Sequence, residues 1–368
     1  MNKILLVTFS DNADHQDTLF GLYELLNEKR PGEPVPEVFL LATRAPKVEL
    51  HQSEHTWLVD CPLRPGITRG TFRMDRIVAL ARRINRENFD AVYFESLHVW
   101  NLALMQLCRR NRAGRRVVMI QCIHEVIPHT GDKEVKGVEL MNKAVCQMAD
   151  HIVLRSRIHV PIFCSRYPKE PARVHALELW RRYPAFTPPA HSGKLLFFGR
   201  LNPYKGIENL LEVVRMCPEL DFEVMGRADP QTEDIIEELQ RQKNVTMTLG
   251  YVSDEEMKDA FSDADYLILP YSSASQSGVI IDAYKYSRPV VAYDVGAIHE
   301  QVENGVSGWL VPAGENERFA DALKNAMALD QRSYDNLCAG AYHFGCEKYA
   351  VDGGAARFLD FLQRCVPA

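Results

Sequence analysis

Hydrophobic and polar positions along this chain follow two alternating periods. Short apolar runs, Ile4-Leu-Leu-Val-Thr-Phe9, Ala91-Val-Tyr-Phe94, Val117-Val-Met-Ile120 and Ile152-Val-Leu154, are bounded by polar or turn residues and predict buried strands. Between them apolar residues recur at helical spacing: Leu19, Leu22, Leu25 and Leu26 within 18–28, and Ile77, Leu80, Ala81 and Ile84 within 71–87. Helices are also predicted at about 99–111 and 136–148. Residues 181–193 (RRYPAFTPPAHSG) hold three prolines and a glycine and predict a linker. The alternation then restarts, with strands at 194–198, 222–225 and 245–249 and helices at 207–216, 231–242 and 254–261. This pattern predicts an α/β chain of two doubly wound, Rossmann-like domains, 1–185 and 190–349, facing a central cleft. Residues 350–368 are expected to pack back on the first domain.

The most informative stretch is 265–312. A strand, Tyr266-Leu-Ile-Leu269, is closed by Pro270, and a loop of small polar residues runs from Ser272 to Gly278. A helix follows to about Tyr286; Pro289 ends it, and Val290-Val-Ala-Tyr293 is the next strand. Such a βαβ unit sets the loop at the carboxyl end of a parallel sheet and aims the helix N-terminus into the crevice. The first turn of a helix has free amides and partial positive charge, which suits a phosphate, and Gly278 lets an anion approach the backbone. A second stretch, Phe197-Phe-Gly-Arg-Leu-Asn-Pro-Tyr-Lys-Gly206, ends a strand at Gly199 and then presents Arg200 and Lys205 in one loop. Two cations opposite a helix N-terminus make a diphosphate clamp.

Composition narrows the class. The 368 residues are 46% hydrophobic and 25% charged, ordinary for a globular protein with two cores. The nine cysteines show no Cys-x-x-Cys pair and no His-containing metal spacing, so a reduced, cytoplasmic protein without a metal site is expected. The first apolar run lacks the features of a signal peptide, and no run is long enough to span a bilayer. Residues 1–190 carry 27 basic and 21 acidic side chains, and the remainder 16 and 28, so the two halves suit different partners. Arg69, Arg73, Arg76 and Arg83 share one predicted helix face, and Arg109, Arg110, Arg112, Arg115 and Arg116 form a second basic cluster. Either suits peripheral contact with an anionic inner-membrane face; equally, either is a solvated surface. The acidic total and the lack of a binding motif disfavour nucleic acid.

Gly-Arg-x4-Lys-Gly, followed some 70 residues on by the Pro270 loop, Gly278, Asp282 and Pro-Val-Val, resembles retaining glycosyltransferases of family 4 (glycosyl transferases group 1), which have the GT-B fold. Gly250-Tyr-Val-Ser-Asp-Glu-Glu and Gly305-x2-Gly308-Trp-Leu-Val-Pro312 also look like that family, and the resemblance covers about 194–315 well. It implies a hexosyltransferase of cell-surface glycan or polysaccharide synthesis, with a UDP- or GDP-sugar donor and a glycan or lipid-linked hydroxyl acceptor. It also implies that no cofactor or metal is required. Gly199, Arg200 and Lys205 would hold the donor diphosphate, with Gln276 and the amides near Ser277 and Gly278, and Asp282 would bind the ribose. In the first domain the resemblance selects His124, after a strand in Gln121-Cys-Ile-His124, as the residue near the reaction centre. Glu95, His98 and Glu125 are acceptor-side candidates, and Glu300 matches a position near the donor sugar. The chain departs from the family pattern at Ala274, where an acid is usual, leaving Ser275, Gln276 or Ser277 to replace it. Ser10-Asp-Asn-Ala-Asp14 stands where a Gly-Gly loop is usual. Two other readings stay open: a sugar-nucleotide epimerase of the same fold, and a non-catalytic protein with a degenerate site.

Overall fold

The computed structural model describes residues 1–28, 35–63, 70–127, 135–186 and 191–366. The chain divides into two compact units, Met1–Arg182 with Tyr349–Ala368, and Tyr183–Lys348. The first passage between them falls inside the predicted linker, of which 187–190 lie outside the described residues.

Unit 1 runs β1 (Lys3–Thr8), α1 (Ala13–Asn27), β2 (Glu37–Thr43), β3 (Thr56–Val59), α2 (Met74–Arg86), β4 (Ala91–Phe94), α3 (Val99–Leu107), β5 (Val118–Ile123), α4 (Val135–Met148), β6 (His151–Leu154), α5 (His159–Arg166) and β7 (Val174–Ala176). Among the described residues of either unit the strands form one parallel sheet; that of unit 1 has seven, in the order β3-β2-β1-β4-β5-β6-β7. Unit 2 runs β8 (Lys194–Phe198), α6 (Ile207–Met216), β9 (Asp221–Gly226), α7 (Glu233–Gln240), β10 (Val245–Leu249), α8 (Asp254–Asp263), β11 (Tyr266–Leu269), α9 (Gly278–Lys285), β12 (Val290–Asp294), β13 (Gly308–Pro312), α10 (Asn316–Met327) and α11 (Gln331–Tyr349). Its six parallel strands are ordered β10-β9-β8-β11-β12-β13. Each sheet starts at its centre, winds outward, then reverses, which is the Rossmann order. The reversal falls between β1 and β4 in unit 1 and between β8 and β11 in unit 2. Those two points are where ligands of such sheets bind.

Strand composition explains the layering. In β1, Ile4 and Leu6 pack on one face with α1, while Leu5 and Val7 pack on the other with Ile77, Leu80 and Ile84 of α2. A strand buried on both faces reads as a continuous apolar run, as this one does. The last helix, α12 (Val351–Cys365), belongs to unit 1: Val351, Ala355, Phe358, Phe361, Leu362 and Cys365 join the core that holds Ile4 and Leu6. It docks through Gly354, where a Cβ would meet the Trp180 indole at 2.3 Å.

Several bounds differ from the pattern for local reasons. α1 begins at Ala13 rather than 18, because the Asn12 side chain caps it by accepting from the amides of Asp14 and His15. α2 begins at Met74, so the predicted four-arginine face is not a helix face. Arg73 precedes the helix and pairs with Asp75, and Arg69 lies outside the described residues. Arg76 donates to the Asp60 carbonyl at 3.0 Å and Arg83 covers the Trp57 ring at 4.0 Å, so both turn toward β3 and the loop after it. The short strands β3 and β7 carry too few residues to show a period. At α8 the capping box of Ser253 and Glu256 is complete. No described helix is long and apolar enough to cross a membrane.

Because Gly354 touches the Trp180 indole directly, Gly354→Val should overpack unit 1 and cost roughly 1–3 kcal/mol. Thermal unfolding followed by tryptophan fluorescence should show a lower midpoint; an unchanged midpoint would contradict this docking of α12.

Candidate functional site

In unit 2 the switch point is built by backbone that only glycine fits. Gly199 follows β8 at φ +118°, and a Cβ there would lie 2.9 Å from Lys205 Nζ and 3.8 Å from Val279 Cγ2. Strand end, lysine ammonium and the first turn of α9 therefore converge on one spot. Lys205 ends a 3-10 turn, Pro203–Lys205, and Gly206 follows in the left-handed region at φ +69°. A Cβ on Gly206 would fall 1.8 Å from the Pro270 carbonyl oxygen, so the cationic loop lies directly on the end of β11. The Tyr204 carbonyl accepts from the Ser272 and Ser273 amides at 3.0 and 3.3 Å, and Asn209 Nδ2 donates to the Pro270 carbonyl at 3.0 Å. Lys205 Nζ donates to the Tyr271 hydroxyl at 3.0 Å. Burial works against its charge, but the Tyr271 and Tyr204 phenols outweigh that and keep its pKa above the ordinary lysine value. Arg200 is exposed, and among the described residues it makes no hydrogen bond or ion pair.

The loop before α9 differs from the expectation in one detail. Ser277 occupies the N-cap position, but its amide donates to Gln301 Oε1 at 2.7 Å while Gln301 Nε2 donates to the Ser277 carbonyl at 3.0 Å. The Ser277 amide is thus committed to Gln301, and the amides left for an anion belong to the turn starting at Gly278. Ser277 Oγ is buried without a hydrogen-bond partner and does not cap α9. Gln301 is a residue the sequence reading missed; it lies 24 positions away and its side chain acts only through the fold. Gln276 is half-buried, and among the described residues its amide makes no hydrogen bond. Asp282 is half-buried on α9, one turn before Tyr286. Burial, then the carboxylates of Asp282 and Asp254, push the Tyr286 phenol up to about 12. Ala274, where an acid was expected, is buried, and its carbonyl is in backbone contact with Gly296. Glu300 ends a 3-10 turn, and its carbonyl accepts from Lys348 Nζ.

Unit 1 holds a different site at its own switch point. Glu95 follows β4 and is fully buried; its Oε1 accepts from His124 Nε2 at 3.0 Å and from the Arg155 guanidinium. Arg155 follows β6 and also donates to the Leu177 and Glu178 carbonyls. Burial alone would raise the Glu95 carboxyl, but Arg155 and then His124 outweigh it and hold it at about 2. Burial would likewise lower His124, but Cys122, at 3.6 Å, and Glu95 outweigh it and push the imidazole up to about 10. The His15 ring stacks on His124 with centroids 3.9 Å apart. Burial and the His124 charge hold His15 well below the ordinary histidine value, so it is neutral. His15 Nδ1 and Glu95 Oε2 are buried without hydrogen-bond partners.

The fold therefore brings Glu95 and His124 together and adds Arg155 and His15, which no sequence signal had marked. It does not bring His98 to them. His98 caps α3: Nδ1 accepts from the Trp100 amide at 3.1 Å, and Nε2 donates to the Pro62 carbonyl at 2.9 Å. Both ring nitrogens are used in capping contacts, and burial holds the imidazole down at about 4. Glu125 is half-buried, and its carbonyl accepts from Asn142. In the second basic cluster, Arg115 pairs with Asp90, Arg116 with Asp150, and Arg109 donates to the Met148 carbonyl. Arg110 and Arg112 join Arg82 and Arg86 around one surface depression.

Two doubly wound parallel sheets, each with its polar residues at the switch point, are the fold of GT-B glycosyltransferases. Residues 192–328 match the family described as glycosyl transferases group 1. Among solved structures, HepE of Anabaena in complex with UDP-glucose superposes with a TM-score of 0.73 at 14% identity, covering 99% of this chain and all of that one. Sucrose-phosphate synthase of Thermosynechococcus elongatus gives 0.72 at 17% identity over 99% of both chains. At such identities the likeness establishes the fold alone. In sequence, the GDP-mannose:glycolipid 4-beta-D-mannosyltransferase of Xanthomonas campestris is 35% identical over 185 residues, 45% of this chain and 51% of that protein. The alpha-D-kanosaminyltransferase of Streptomyces kanamyceticus is 26% identical over 163 residues, 43% and 42% of the two chains. The chain thus spans about half the length of these relatives.

The buried cluster gives a pH signature. His124, raised from 6.5 to about 10, contributes stability fully present below pH 6.5 and lost as pH rises toward 10. Glu95, lowered from 4.5 to about 2, contributes stability present above pH 4.5 and lost as pH falls toward 2. Glu95→Gln should flatten both slopes and, at pH 6, cost roughly 3–5 kcal/mol by leaving Arg155 buried and unpaired. Melting temperatures across pH 2–10 for both proteins check this; parallel curves would refute the coupling.

Proposed function

We propose that this chain is a hexosyltransferase that moves a sugar from a UDP- or GDP-sugar to a hydroxyl of a glycan or lipid-linked acceptor in polysaccharide synthesis. The observation that carries the reading is the convergence of Gly199, Lys205 and the first turn of α9 at the unit 2 switch point, with Arg200 free beside them. That face suits a diphosphate. The group 1 match over 192–328 covers the same residues, and the names of the relatives include a nucleotide-sugar donor.

In this reading Arg200 and Lys205 neutralise the departing diphosphate as the glycosidic bond breaks, doing the work for which other enzymes use a divalent ion. The amides of the turn starting at Gly278 hold the same phosphates, and Asp282 takes the ribose hydroxyls. Unit 1 receives the acceptor. His124, protonated and anchored by Glu95, acts there as a cationic hydrogen-bond donor and not as a base. The family resemblance implies retention at the anomeric carbon. Relatives are named for both alpha and beta transfer, so the product anomer is the measurement that decides the stereochemical course. Contact with an anionic membrane face, through the depression lined by Arg82, Arg86, Arg110 and Arg112, would bring a lipid-linked acceptor within reach.

The test is a thermal-shift series with UDP-, GDP- and ADP-sugars. At about 100 times Kd, one nucleotide class should stabilise the wild type by about 2.7 kcal/mol. Lys205→Ala and Asp282→Ala should lose that shift while keeping the unliganded melting temperature within a few degrees. Supplied with acceptor, the wild type should release nucleoside diphosphate and form a glycoside, whose anomer is read by NMR. The reading fails if no sugar nucleotide shifts the wild type. Conversion of the donor to an epimeric sugar nucleotide without acceptor would replace transfer with epimerisation.

A further inference from the structure

Away from both switch points, the far edge of the unit 1 sheet gathers three side chains from three elements. His151 opens β6, His175 lies in the edge strand β7, and Cys365 ends α12. His151 Nδ1 lies 3.1 Å from His175 Nε2, and Cys365 Sγ lies 3.7 Å from that same nitrogen. All three ligand atoms are within 4.8 Å of one another. Cys365 is buried and the two imidazoles are half-buried, so the group opens to solvent on one side.

Hydrogen bonding does not account well for this arrangement. A ring nitrogen carries either one lone pair or one proton, so His175 Nε2 satisfies one neighbour in full, yet two polar atoms converge on it. A cation at the centre would use the lone pairs of all three. Around a tetrahedral ion with Zn–N of about 2.0–2.1 Å and Zn–S of about 2.3 Å, ligand nitrogens stand roughly 3.3 Å apart and nitrogen and sulfur roughly 3.6 Å apart. Two of the three observed separations, 3.1 and 3.7 Å, match those edges, and the third is within 4.8 Å. The His175 ring is already held edge-on against Phe361 of α12, with centroids 4.9 Å apart, so its direction is fixed by packing.

We propose that His151, His175 and Cys365 form a zinc site, with the fourth position taken by water. Two imidazoles and a thiolate suit zinc, a borderline-soft ion that accepts nitrogen and sulfur together. The site is independent of the donor clamp and serves the fold: it ties the end of α12 to β7, an edge strand of only three residues. It is formed from residues nearly 200 positions apart, which is why no metal spacing is visible in the sequence.

The experiment uses the full chain, stripped with a chelator and then titrated with zinc or cobalt(II). Wild type should bind one equivalent of zinc, gain melting temperature, and with cobalt show a thiolate-to-metal charge-transfer band. Cys365→Ser should lose that band, and His151→Gln should weaken zinc binding at least tenfold; equal unliganded melting temperatures for wild type and His151→Gln separate metal loss from misfolding. No stoichiometric zinc binding by the wild type would overturn the proposal. So would a cobalt band unchanged in Cys365→Ser, which would place the metal on other cysteines.

Discussion

The switch point of unit 2 depends on a lysine ammonium lodged against a strand end. Residue 199 has φ +118°, which favours glycine, and a Cβ there would lie 2.9 Å from Lys205 Nζ, so the cation sits close against the backbone. The turn that carries Lys205 is pinned in the same way, through Gly206 against the Pro270 carbonyl. Two strand ends, β8 and β11, are thereby locked at a fixed spacing, and α9 starts from the second of them. The positive character of the face follows from that spacing. A larger residue at 199 would displace the lysine, and one at 206 would lift the loop off β11, separating the cations from the helix.

Unit 1 solves a different problem with the same topology. Its switch point is filled by a buried carboxylate, an arginine and two stacked imidazoles. A carboxylate removed from water is costly unless it is paired and hydrogen-bonded, and Glu95 receives both Arg155 and His124. A third cation is avoided by leaving His15 neutral against the charged His124 ring. The cluster therefore fixes which imidazole bears the proton, and with it the direction of hydrogen bonding on that face. Unit 2, by contrast, leaves Arg200 exposed and the first turn of α9 without a side-chain cap. One switch point ties its cations to a buried carboxylate, and the other leaves Arg200 exposed.

This contrast explains what the sequence made legible. The 265–312 unit and the Arg200–Lys205 loop are read directly because their chemistry is local: strand, loop, helix and cations lie within a few residues of one another. The layered architecture is read for the same reason, since each element carries its own period. The residues that escaped are those whose partners are remote. Arg155 lies 60 positions from Glu95, His15 lies 109 from His124, and neither carries a motif. His98 shows the opposite case. A histidine after a strand looks free for chemistry, but it begins a helix, and histidine is an uncommon cap. The arginine face failed at the helix start, where a three-residue error moved Arg73 off the helix that Arg76 and Arg83 occupy.

The return of the last helix to unit 1 has a structural consequence of its own. The chain leaves unit 1 after Arg182 and re-enters at Tyr349, and the two passages are joined within unit 1. The Arg181 amide donates to the Tyr349 carbonyl at 2.8 Å and the Val351 amide to the Arg181 carbonyl at 3.0 Å. Arg181 is itself buried and tied to Asp14 and Asp17 of α1, the helix that carries His15. Outgoing and returning segments thus form one short ribbon anchored to the element that opens the unit 1 site. A substitution that loosened α12 would act on Arg181 and α1 as well as on the core. The C-terminal helix is for that reason part of the support of the His15–His124 pair, despite lying more than 200 residues away in sequence.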